Sequence, residues 1–200
     1  MRKKYEIEDI IQKSQEVIWR KGYHNTGINE LLKESGIPKG SFYNFFESKE
    51  DLMIKIIDHY VKEQREIMIE ILSNSSVSPL ERLKQFYRHS IDQARNELDR
   101  FLCVKGCLIN NTSVELGAIN DNIAETINAH FGEISGYIAE VIREGQLKNE
   151  ITDLFPAEQL VEFMQSNYYG TLSRVKTTRS IEPLELNYQM TFAFLAKSNP

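Results

Sequence analysis

From Ile7 to Ile18, apolar and small residues recur at i, i+3, i+4 and i+7: Ile7, Ile10, Ile11, Ser14, Val17 and Ile18. That spacing predicts one amphipathic helix, ending near Gly22. Thr26 is a candidate N-cap for a short second helix, with Ile28, Leu31 and Leu32 inward and Gly36 as its stop. A third short helix is predicted over Lys39 to Phe46. Ser48 then caps a long fourth helix, with Glu50 and Asp51 in its electropositive first turn and an apolar series from Leu52 to Leu72. "SNSSVSP" reads as a linker. Helix resumes after Pro79 through Leu83, Phe86, Tyr87, Ile91 and Ala94, and breaks at "LDRFLCVKGCLINN". Further helices are expected near Asn120 to Leu147, from Pro156 to about Val175, and from Pro183 onward. Strand-type alternation is absent, as are internal repeats and low-complexity tracts.

The pattern predicts an all-α chain. A three-helix head with helix–turn–helix grammar, residues 1–50, joins a larger helical body, residues 51–200. With 41% apolar and 26% charged residues, the 200-residue chain has ordinary globular composition. No window approaches about 18 apolar residues, and the N-terminus lacks a signal-peptide run, so a cytoplasmic protein without a membrane partner is expected. The net charge of −5 argues against wholesale polyanion binding. Residues 1–50, however, hold nine basic and eight acidic side chains, against 15 and 21 in the remainder. That asymmetry permits nucleic-acid contact by the head.

"ESGIPKGSFYNFF", Glu34 to Phe46, places four aromatics within five residues. On a helix, Phe42 and Phe46 share a face that packs on the preceding helices. Tyr43, Asn44 and Phe45 then point elsewhere, flanked by Lys39, Gly40, Ser41 and Lys49. This is chemistry for a DNA groove. Gly40 and the helix N-terminus offer backbone N–H groups to phosphate, as do the Tyr43 and Ser41 hydroxyls and the Lys39 and Lys49 ammonium groups. Asn44 can read a base edge, and Phe45 can sit on a thymine methyl.

The segment "TGINELLKESGIPKGSFYNFFESKEDL", Thr26 to Leu52, resembles the DNA-binding signature of TetR-type (TetR/AcrR) transcriptional regulators. The shared pattern is a Thr, an apolar pair, a Gly-apolar turn, a small-Gly-small run, aromatic-Tyr-x-x-Phe and Ser-Lys-x-x-Leu. The resemblance implies that Thr26 and Tyr43 touch backbone phosphates. It places Lys39, Ser41, Asn44 and Phe45 toward the groove, with Lys49 holding a phosphate at the start of the fourth helix. Pro38 stands where many members have a small polar residue. It suits the N1 position and removes one donor.

One head offers few contacts, so two heads on successive major grooves, about 34–36 Å apart, are expected on a palindromic double-stranded operator. The body must then make a homodimer. Leu160, Met164, Tyr168, Gly170, Leu172 and Val175 form one candidate stripe, and Tyr188, Phe192 and Leu195 another. Packing on their own body is the alternative. The resemblance favours an intersubunit four-helix bundle.

It also implies a small apolar or aromatic effector that releases DNA. The aromatic candidates are Phe86, Tyr87, Phe101, Phe131, Phe163 and Tyr168, with His89, Asn110, Asn111 and Asn167 as polar ones. Each is equally readable as a core residue. If the segment is helical, Cys103 and Cys107 fall at i, i+4, and two thiols are too few for zinc. Gly106-Cys107-Leu108 resembles the electrophile- and oxidant-sensing branch of the family, in which the cysteine after Gly is reactive. A repressor controlled through oxidation or alkylation of Cys107 is therefore a second reading, beside that of a buried small residue. Either signal would act by displacing the fourth helix, Ser48 to about Leu72, which head and body share. No catalytic residue, cofactor or metal is expected. His24, His59, His89 and His130 are scattered, and HExxH, GxSxG and P-loop patterns are absent. A helical enzyme and a protein-interaction module are the competing classes.

Overall fold

The computed structural model describes residues 5–101 and 104–197. The described residues form nine helices and one isolated bridge, Ile151 to Ala196. The helices are α1 (Ile7–Lys21), α2 (Ile28–Ser35), α3 (Lys39–Phe42), α4 (Lys49–Leu72), α5 (Pro79–Phe101), α6 (Leu108–Leu116), α7 (Asp121–Leu147), α8 (Ala157–Thr178) and α9 (Glu182–Leu195). Two compact units share them. Unit 1 runs to Glu63 and adds Leu108–Ala129; unit 2 is Gln64–Cys107 with His130–Pro200. No described helix is long and apolar enough to cross a membrane.

In unit 1 the expected inward face of α1 is buried through Ile10, Ile11, Ser14, Val17 and Ile18, while Ile7 stays exposed at the frayed start. Trp19 stands edge-on to Tyr60, 5.2 Å between centroids, which packs α1 on α4. The chain leaves α2 through Gly36, whose left-handed φ of 68° suits a residue without Cβ. Phe42 and Phe46 are buried together, rings 5.1 Å apart. Each contributes about 1.5–3 kcal/mol by leaving water. Ser48 Oγ accepts the Asp51 N–H at 3.0 Å, and the Asp51 carboxylate accepts the Glu47 N–H at 3.0 Å. The Ser48 cap, with the Asp51 carboxylate reaching back to the residue before it, starts α4.

Three local expectations change. Gly27, not Thr26, occupies the N-cap of α2. The Thr26 hydroxyl instead donates back to the Gly22 carbonyl at 2.8 Å, because its side chain is buried. Pro38 is the N-cap of α3, not its first residue, and α3 has four residues before the chain turns through Tyr43 to Phe45. The break at "LDRFLCVKGCLINN" is shorter than expected, because α6 begins within it at Leu108. Val104 to Cys107 is non-helical, so Cys107 precedes a helix and does not lie inside one. Cys107 is therefore not on a helical face, and Cys103, its expected i, i+4 partner, lies outside the described residues.

Unit 2 is held by two apolar clusters. The larger joins Met68 and Leu72 of α4, Leu83 and Tyr87 of α5, Ile138 and Ile142 of α7, and Leu160 and Met164 of α8 to Phe192 and Leu195 of α9. The smaller joins Ile91 and Ala94 to Leu172, Val175 and Leu184. Arg82 is buried, donating to the Leu72 carbonyl at 2.7 Å and pairing with Glu144. The last turn of α9 is pinned, since Thr152 N–H donates to Leu195 O at 2.8 Å.

Candidate nucleic-acid interface

The α2–turn–α3 hairpin owes its shape to what lies under it. With Phe42 and Phe46 sunk into the unit, the residues between them are turned outward. Tyr43 is 49% exposed, and its ring stands edge-on against Phe42 at 5.3 Å. The phenol is thereby anchored at its base and open at its hydroxyl. Lys39, Gly40 and Asn44 are exposed, and Ser41 and Phe45 are half-buried. Phe45 leans on Phe46 at 6.3 Å. One short ridge thus carries an ammonium, a phenol, a carboxamide, a hydroxyl and an aromatic edge. Of the first-turn amides of α3, Ser41 and Phe42 already donate to the Pro38 carbonyl, at 2.9 and 3.1 Å.

Two expected phosphate contacts sit differently. Thr26 is wholly buried with its hydroxyl spent on Gly22, so its side chain braces the α1–α2 turn and does not reach outward. The Lys49 ammonium donates to the Tyr23 carbonyl at 2.5 Å and lies 3.8 Å above the Tyr23 ring. Burial lowers its pKa, opposed by the nearby Glu115 carboxylate. Tyr23 and Glu115 were invisible to periodicity, because the chain separates them by 92 residues.

The residues of the expected dimer stripe turn inward. Leu160, Met164, Leu172, Val175, Phe192 and Leu195 are buried in the chain's own core, and Tyr168 and Tyr188 pack against it. They face inward because α8 and α9 bury them against α5 and each other. Gly170 is exposed. The outward side carries a different set: Phe155, Phe163, Leu186, Met190 and Phe194 are exposed, and Phe163 and Phe194 touch at 5.3 Å between centroids.

Among the effector candidates, unit 2 gathers some and scatters others. Tyr87 and Tyr168 meet at 5.5 Å, and Tyr168 meets Tyr169 at 5.5 Å. Phe131 lies 5.3 Å from Tyr169, a residue that helical spacing does not single out. Tyr168 is pushed up to about 12, chiefly by burial, with the Ser90 hydrogen bond opposing and Cys107 adding to the rise. Burial and Cys107 together hold Tyr169 well above the usual phenol range. Tyr87 is buried, its hydroxyl donating to the Met164 carbonyl at 3.2 Å. Phe86 is half-buried against the larger cluster and His89 is half-buried on α5. Phe101 is 62% exposed, and Phe163 faces outward with Asn167, whose amide donates to the Phe163 carbonyl at 2.7 Å. Asn110 and Asn111 belong to unit 1 on α6. Among the described residues no group of His, Cys, Asp and Glu could hold a metal ion.

Residues 10–56 match the family model described as bacterial regulatory proteins, tetR family, and residues 79–191 match that of the tetracyclin repressor-like C-terminal domain. The chain is 27% identical to the HTH-type transcriptional repressor DhaR of Mycobacterium sp. (strain GP1) over 96% of its own length and 92% of that protein's. The crystal structure of regulatory protein TetR from Rhodobacter sphaeroides superposes with a TM-score of 0.84 at 26% identity, covering 94% of this chain and 98% of that one. A cysteine mutant of the TetR-family regulator CifR, complexed with 26-base-pair operator DNA, superposes at 0.82 with 20% identity, covering 98% and 99%.

Proposed function

The chain belongs to the TetR family of bacterial transcriptional regulators, and we propose that it is a cytoplasmic homodimeric repressor released from a palindromic operator by a small effector. The observation that carries the DNA-binding part is the ridge from Lys39 to Phe45, turned outward by the burial of Phe42 and Phe46. Residues 1–50 serve as the DNA-binding domain and residues 51–200 as the effector and dimerisation domain. Lys39, Ser41, Tyr43, Asn44 and Phe45 face the groove, with Tyr43 on a phosphate and Asn44 at a base edge. Gly40 lets the backbone come close to the sugar-phosphate chain. Lys49 holds the turn and lends positive charge.

Dimerisation uses the outward side of α8 and α9. Phe163, Leu186, Met190 and Phe194 are large apolar side chains on adjoining helices, a concentration that isolated surface residues do not produce. The effector is received in unit 2 near Tyr87, Phe131, Tyr168 and Tyr169, whose rings form a continuous aromatic series. It must favour the DNA-incompetent dimer, and a coupling of about 1–3 kcal/mol lowers DNA affinity about 5- to 150-fold. The regulatory role excludes any need for catalysis, and no catalytic residue is assigned.

A second reading, control through Cys107, is favoured by one observation. Cys107 packs against the smaller apolar cluster together with Tyr168 and Tyr169, and its charge raises the pKa of both phenols and of Lys176. Mass spectrometry after a mild electrophile, paired with DNA binding, separates the readings. Modification of Cys107 that leaves DNA affinity unchanged removes thiol control. A footprint is the direct test of the main reading: protection should cover an inverted repeat, and protection without symmetry would refute the dimer.

A further inference from the structure

The α1–α2 turn hands the chain to the DNA-facing hairpin, and part of its backbone is satisfied from outside. α1 ends at Gly22, whose φ of 87° is left-handed and whose N–H donates to the Ile18 carbonyl at 2.7 Å. Inside the turn, Thr26 braces the Gly22 carbonyl through its hydroxyl and the Tyr23 carbonyl through its N–H, the latter at 3.2 Å. The Tyr23 and His24 N–H groups point away from helix partners. Both donate to the carboxylate of Glu115, at 2.9 and 2.7 Å. Glu115 lies in the last turn of α6, within unit 1. Lys49 holds the other end of the same peptide through the Tyr23 carbonyl. Tyr23 is thus gripped by its N–H from α6 and by its C=O from α4.

The grip is close. A Cβ placed on Gly22 would come within 3.2 Å of one Glu115 carboxylate oxygen and 3.3 Å of the other. Two charge-assisted hydrogen bonds from one carboxylate to consecutive amides fix both the position and the tilt of the turn. A second tie joins the same parts: Glu50 at the head of α4 accepts from Asn120 at 2.9 Å and Asn122 at 2.8 Å, just beyond α6.

We propose that Glu115 is a positioning residue for DNA binding: by holding the Tyr23 and His24 amides it sets the register of the α2–α3 hairpin. The proposal rests on the DNA-binding reading above. Its sign is informative. Glu115 is an anion beside a surface that meets a polyanion, so by charge alone its removal should tighten DNA binding. Positioning predicts the opposite.

The test uses the full-length protein and a duplex that the wild type selects from a random pool. Glu115→Ala should weaken binding about tenfold or more, because the part-buried Tyr23 amide and the exposed His24 amide both lose their acceptor. The slope of log K against log salt should stay unchanged, since no phosphate contact is lost. Amide exchange at Tyr23 and His24 should accelerate. Glu115→Gln keeps one acceptor oxygen, and should bind more tightly than Glu115→Ala. Affinity of Glu115→Ala equal to or above wild type overturns the proposal, and so does weaker binding with unchanged exchange at both amides. If Glu115→Ala does not fold, Glu115→Gln carries the same two readouts: weaker binding with faster exchange supports the proposal, and wild-type binding overturns it. Failure of the wild type to select any duplex would instead sink the DNA-binding reading.

Discussion

Replacing Tyr43 by Phe removes one oxygen and leaves the ring. The ring is held edge-on to Phe42 at 5.3 Å, so the hairpin keeps its packing. Tyr43 is 49% exposed, and its hydroxyl is hydrated before DNA arrives. The relevant quantity is therefore the net exchange of water for a phosphate oxygen, about 1–1.5 kcal/mol per head. Two heads of a dimer double it to about 2–3 kcal/mol, a loss of about 30- to 150-fold in affinity. Fluorescence anisotropy with a labelled operator at one fixed salt concentration measures this. Because no charge changes, the salt slope should be that of the wild type. A change below about threefold, with an unaltered melting temperature, would refute the assignment of Tyr43 to phosphate. A large loss accompanied by a lower melting temperature would refute the claim that the hairpin keeps its packing without the hydroxyl.

Lys39→Ala should lower the salt slope by about 0.9 per phosphate contact, hence about 1.8 for a dimer, in the same anisotropy titration. Phe42→Ala should cost about 3–5 kcal/mol in urea unfolding, since it empties a fully buried site against Phe46. Ser48→Ala removes the acceptor of the Asp51 N–H and should cost about 1 kcal/mol, read as a lower urea midpoint at constant m. Glu144 is held below its ordinary 4.5 by hydrogen bonds from Lys148 and then Arg82. A depressed carboxylate contributes stability above its unfolded pKa and loses it as pH falls through the lower folded value. The stability gap between wild type and Glu144→Gln should therefore be full at neutral pH and close as pH falls below about 4.5.

The head was legible because its signals are local. Phe42 and Phe46 at i, i+4, Gly36 at a left-handed stop and Ser48 at a cap each act within a few residues. Thr26 misled for the same reason: a hydroxyl before a helix reads as a cap, yet here it turns back to Gly22. α6 hid inside a segment with cysteines and asparagines and no capping signal. Glu115 could not be seen at all, since a single carboxylate 92 residues from its partner leaves no periodicity. In α8 and α9 the apolar stripe was visible, but its destination was not. Burial against one's own chain and burial against a partner demand the same spacing, so Leu160 and Val175 looked like an interface while Phe163 and Phe194 face outward.

Selection of duplexes from a random pool by the wild-type protein tests the central claim most directly. A symmetric pair of Lys39–Phe45 ridges predicts enrichment of an inverted repeat whose half-site centres lie one helical turn, about 34–36 Å, apart or a multiple of it. Asn44→Ala should relax the base preference at one position in each half. Enrichment of a single asymmetric site, or none, would contradict the account.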